Sequence, residues 1–177
     1  MKRPARIALA CAAGLGFFGW LVGSWAPGGL ELRLSSVKDG EIDLRFPLKP
    51  EERFELQFYH SVNHLPVWEV LYANQEGCIY IEETRFVSFN AGMDHWPGHG
   101  TYAKRGEYQV LENIHKPLRP FILRVGNPGA DHILIWRNRS TNLSNLASGL
   151  ALEVKVERIS LLRRLRLFCA ASGSKRT

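Results

Sequence analysis

From Leu30 onward, apolar residues recur at every second position in short runs broken by glycine, asparagine and proline. A period of two sends successive side chains to opposite faces of an extended chain, a pattern that a helix cannot satisfy. The runs are Leu30–Ser35, Glu41–Leu48, Arg53–Val62, Val67–Ala73, Cys78–Phe89, Tyr108–Ile114, Phe121–Gly126, His132–Asn138 and Gly149–Ile159. They predict about nine strands joined by short turns, with no helical spacing between them. The expected fold is therefore all-β: an antiparallel β-sandwich or a partly open barrel. No repeat, linker or low-complexity tract divides residues 30–158, which read as one domain.

The two ends differ from this body. "MKRPAR" is a short basic stretch, and Ile7 to Ala26 follow with 20 residues and no charge. That length crosses a hydrocarbon core of ~30 Å as a helix. Residues 1–29 thus form a cytoplasmic n-region with a membrane anchor or signal segment. Positive residues stay inside, so the anchor reading places the β domain in the periplasm or outside the cell, single-pass, at the cytoplasmic membrane. A cleaved signal peptide is the rival, against which stands a poor cleavage site in "GSWAPGG"; lipidation at Cys11 is a third reading. Residues 159–177 form a basic tail. Leu161, Leu162, Leu165 and Phe168 fall at helical spacing, with Arg163, Arg164 and Arg166 on another face. Such a short basic helix either lies on an anionic membrane surface or packs on the sheet with its arginines in water.

Charge supports this division. The chain carries +6, yet the span between the two basic ends has 14 basic and 17 acidic residues, a charge of −3. A nucleic-acid-binding domain would carry its positive patch on the folded body, so no nucleic acid is expected. The three cysteines, Cys11, Cys78 and Cys169, show no metal-type spacing. A Cys78–Cys169 bond and free thiols both remain open in an oxidising compartment.

One polar cluster stands out, in "YHSVNHLPVWEVLY" (Tyr59–Tyr72). If Asn63 to Pro66 form the loop, Val62 faces Val67 and His60 lies opposite Glu69, with Cβ atoms ~5 Å apart on the apolar face. If Asn74 then pairs with Cys78, in a turn with Gly77 as its left-handed residue, Leu71 faces Ile81 and Glu69 faces Glu83. The expected row is His60, Glu69, Glu83: a ligand or polar centre, a cation site, or a pair that merely fixes register. Under the last reading Glu69→Gln lowers the melting temperature. Ser61 has no base beside it and no Gly-x-Ser-x-Gly elbow occurs, so no catalytic residue is assigned.

The second unusual tract is "FNAGMDHWPGHGTYAKRGE" (Phe89–Glu107), long for a sandwich connection. Gly92, Asp94, His95, Trp96 and His99 form an expected loop rim. Asp94, His95 and His99 are the candidate metal ligands, although Pro97 and Gly98 exclude a helical zinc pair. No cofactor is expected.

"YHSVNHLPVWE", "EETRFVSFNAGM" and "VGNPGADHIL" together resemble the bacterial family called domain of unknown function 1850, over Leu30 to Val156. His60-Ser61-Val62, Pro66-Val67, Glu69 and Ala91-Gly92 carry the resemblance. Phe89-Asn90-Ala91-Gly92 departs from the family's phenylalanine-glycine-alanine-glycine. The resemblance implies a small exported or anchored protein, often encoded beside tripartite ATP-independent periplasmic transporters of the TAXI type. It thereby implies an accessory or binding module whose partner is a transporter membrane subunit or solute receptor. The competing expectation is a metal-dependent, hydrolase-like enzyme drawing on His60, His64, Asp94, His95 and His99.

Overall fold

The computed structural model describes residues 23, 27–38, 40–60, 64–88 and 100–166. The apolar segment 7–26, apart from Gly23, and the 89–99 stretch of the long loop lie outside them. Among the described residues no helix is long and apolar enough to cross a membrane.

The expected strands form, and the described residues hold twelve rather than about nine. In chain order they are β1 (Pro27–Ser36), β2 (Asp43–Leu48), β3 (Arg53–Tyr59), β4 (Pro66–Ala73), β5 (Ile79–Phe86), β6 (Thr101–Arg105), β7 (Tyr108–Glu112), β8 (Lys116–Leu118), β9 (Phe121–Arg124), β10 (Ile133–Trp136), β11 (Arg139–Asn142) and β12 (Ala151–Ser160). One short helix, α1 (Leu143–Ala147), precedes β12, and residues 161–166 are helical. The smaller sheet has the order β2-β1-β12-β9; the larger runs β11-β10-β3-β4-β5-β7-β6, with β8 also pairing with β5. Every pairing is antiparallel.

The alternation explains the layering. Leu30, Leu32 and Leu34 of β1, Leu48 of β2, and Leu152 and Val154 of β12 leave the smaller sheet on one side. They join Phe54, Leu56, Leu71, Ala73, Ile79 and Leu134 of the larger sheet in one apolar cluster. Burying each such leucine contributes about 2 kcal/mol. Leu143 and Ala147 of α1 add to the same core. Asn142 caps α1 by accepting from the Asn145 amide at 3.0 Å.

The turn after β4 forms as expected. The Asn74 amide donates to the Cys78 carbonyl at 3.0 Å, and Asn74 Oδ1 accepts from the amides of Glu76 and Cys78. Gly77 has φ 88°, a left-handed conformation natural to glycine. A Cβ there would also lie 3.1 Å from the Val156 carbonyl oxygen of β12.

Candidate functional site

The row His60–Glu69–Glu83 does not form. On β3 and β4, Leu56 lies opposite Glu69 and Phe58 opposite Val67. The hairpin closes where the His60 amide donates to the Leu65 carbonyl at 2.9 Å and the His64 amide to the His60 carbonyl at 2.9 Å. Pro66, expected in the loop, begins β4. A first strand position tolerates a residue with no N–H to give. The pairing is displaced by an even number of residues, so the faces keep their apolar character while His60 moves away. It lies about 13 Å along the strand from the rung of Glu69, at ~3.3 Å per residue.

Glu83 is lost from the row for a second reason. Leu71 faces Ile81 as expected, but Val70 faces Glu83, so one extra residue enters β5 there. This bulge sets Thr84, not Glu83, opposite Glu69. Glu83 instead joins a charged cluster with Arg85 at 2.8 Å and Arg105 at 3.4 Å. Arg85 also reaches Glu55 at 2.9 Å, and Arg105 pairs with Glu112. The neighbouring Glu82 pairs with Arg53. These acids of β5 hold strands together through exposed or half-buried ion pairs, which contribute little each.

Among the described residues, Glu69 stands mostly among apolar neighbours. It stands between Leu56 and Thr84 across the sheet, with the buried Val67 and Leu71 two residues away on either side along β4. Burial pushes its carboxyl above the usual value of 4.5, and among the described residues no partner opposes that push. A protonated Glu69 can donate a hydrogen bond, and an ionised one would attract a cation. Such an unpaired, perturbed group on the inner face is a candidate site in its own right. The loop-rim residues Gly92, Asp94, His95, Trp96 and His99 lie outside the described residues. Among the described residues no group of three metal-ligating side chains exists.

Sequence reasoning missed two other polar features. His132, before β10, stacks on Phe58 with ring centroids 5.5 Å apart, and its Nδ1 accepts from the Gly126 amide at 3.2 Å. Burial holds this imidazole below its usual 6.5. Its backbone amide donates to the buried Ser144 hydroxyl at 3.0 Å. The quoted "VGNPGADHIL" contained this histidine, but only the fold brings Gly126 beside its ring.

The other is Glu31 on β1, which has no solvent exposure. Its Oε1 accepts from Arg163 at 2.6 Å and from Arg45 at 3.3 Å, while Oε2 has no hydrogen-bond partner among the described residues. The signal for it was the acid inside "LELRLS", which alternation had set on the outward face; the basic tail covers it there. Cys78 is a free, exposed thiol beside a surface cavity of about 340 Å³ between the β4–β5 turn, β8 and Val156.

The described body is thus all-β, two antiparallel sheets that share one apolar cluster, with a carboxyl unpaired among the described residues on the inner face of the larger sheet. The family described as "Domain of unknown function (DUF1850)" matches residues 54–143, and the chain belongs to that family. The matched stretch runs from β3 to the first residue of α1, narrower than Leu30 to Val156. It holds Glu69 and His132 and nearly all of the larger sheet, whereas β1, β2 and β12 fall outside it. No curated protein and no solved structure matches the chain.

Proposed function

We propose that this protein is a binding or accessory module held at the outer face of the cytoplasmic membrane by residues 7–26. Its partner is the membrane subunit or the solute receptor of a TAXI-type tripartite uptake transporter. The observation that carries the binding reading is Glu69, an inner-face carboxyl with no partner of its own among the described residues. Proteins rarely keep such a group where an apolar residue would pack, because burying it without a partner costs stability. A partner that offers a hydrogen-bond acceptor to the protonated acid, or a cation to the carboxylate, offsets that cost on binding. The membrane location is supported by the uncharged Ile7–Ala26 segment behind three basic residues. The slightly acidic body leaves nucleic acid without a matching surface.

Capture of the tagged full-length chain from detergent-solubilised host membranes tests the proposal. The wild type is expected to enrich a transporter subunit or receptor, and Glu69→Gln to lose that enrichment while remaining folded. A chain that enriches neither overturns the partner. Equal enrichment by both variants removes Glu69 from the interface.

A further inference from the structure

The C-terminal helix is turned the opposite way from an ordinary surface helix. Two of its arginines are engaged with the body: Arg163 reaches the buried Glu31 at 2.6 Å, and Arg164 donates to the Gly28 carbonyl at 2.6 Å. Two of its leucines face out, while Leu162 is half-buried. Leu161 is 40% exposed and Leu165 is 54% exposed. They are four residues apart, and hence on one side of the helix. An isolated exposed leucine means little, but a helix that ties down two of its arginines and presents two leucines on one side has no cover for them among the described residues. Arg158, three residues before Leu161, and Arg166, next to Leu165 in sequence, are exposed.

The helix also sits where the apolar N-terminal segment joins the body. Gly28 is the second residue of β1, and a Cβ added at Gly23 would meet the Leu162 Cβ at 4.0 Å. If residues 7–26 cross the bilayer, the leucine face and both exposed arginines come to the headgroup boundary. We infer that residues 161–166 dock on the bilayer itself. Leu161 and Leu165 enter the headgroup–acyl boundary, and Arg158 and Arg166 take anionic phospholipid headgroups. This rests on the anchor reading proposed above. The charge pattern selects lipid: cations flank an apolar stripe, the arrangement of helices that lie in an anionic interface. Each cation near such a surface favours docking about five-fold. The docked helix fixes the tilt of the sandwich relative to the membrane, because Glu31 and Gly28 hold it to β1.

The full-length chain tests this in vesicles. Leu165→Cys, in a chain whose native cysteines are serine, carries an environment-sensitive dye. In vesicles of phosphatidylcholine with phosphatidylglycerol the dye is expected to move to an apolar setting and to be quenched by brominated lipid. Arg158→Glu with Arg166→Glu is expected to lower the docked-to-undocked ratio about five-fold for each cation removed. An alkaline wash reads the anchor separately. A chain that resists the wash while its dye stays aqueous overturns the docking alone; a chain that the wash strips from the vesicles overturns the anchor and the docking with it. Quenching that is equally strong in pure phosphatidylcholine removes the headgroup contacts. Shielding of the dye that requires an added transporter subunit overturns the lipid in favour of a protein cover.

Discussion

Glu69 has a stability consequence of unusual sign. Its folded-state carboxyl titrates above the ordinary 4.5, so the folded chain holds this proton more tightly than the unfolded chain does. Its contribution to stability is whole below pH 4.5 and is lost as pH rises through the raised folded value. At neutral pH Glu69 therefore costs stability. Glu69→Gln is expected to raise it by about 1–2 kcal/mol at pH 7, or roughly 2–8 °C in melting temperature. The gain should fade toward pH 4.5 in a series of thermal melts. A row pairing Glu69 with His60 would have made the same substitution destabilising, so the measurement also reads the register. Glu31, by contrast, has cations beside it. Arg163→Ala strips the closer of its two cations from a carboxylate with no exposure, and is expected to destabilise by about 3 kcal/mol in urea melts.

At the scale of elements, the turns are the most specific features. Gly77→Ala forces a side chain into φ 88° and against the Val156 carbonyl oxygen. It is expected to destabilise by about 1–2 kcal/mol, seen as a lower urea midpoint with an unchanged slope. This hairpin was legible because Asn74, Gly77 and the flanking alternation agree on one register. The β3–β4 hairpin was not. A shift of pairing by four keeps the same apolar residues inward, so alternation cannot distinguish His60 opposite Glu69 from His60 opposite Leu65. The bulge in β5 was hidden because "EET" offers three polar residues in succession, and any of them suits an outward position. The strands β6, β8 and β11 carry too few inward apolar residues to show a period. The five residues of α1 are likewise too few for a helical one. The tail's helix was legible from its leucines, but not its orientation, which depends on Glu31 far away in sequence.

Across the whole molecule two titrations oppose each other. His132 is held neutral by burial, so the unfolded chain binds its proton more readily. Its contribution is whole above pH 6.5 and falls as pH drops through the lowered folded value. In the window between 4.5 and 6.5, acidification lightens the burden of Glu69 while it adds that of His132. The two slopes therefore oppose each other in the wild type. Glu69→Gln leaves only the His132 slope, so its stability should fall on acidification, which chemical denaturation at a few pH values will show. The shared core binds both sheets into one cooperative unit. Leu32→Ala, at a fully buried site in β1, is expected to cost about 3 kcal/mol and to lower the melting of the larger sheet as much as its own.

The antiparallel match of β1 with β12, from Pro27–Ser160 to Ser36–Leu152, has a mechanical meaning. β1 is flanked by β2 on its other side, so it is hydrogen-bonded along both edges. A pull along β1 through the chain preceding Pro27 meets the β12 ladder along nearly the whole strand and the β2 ladder over Leu30–Ser35. A load directed along the strand divides among the bonds of both ladders.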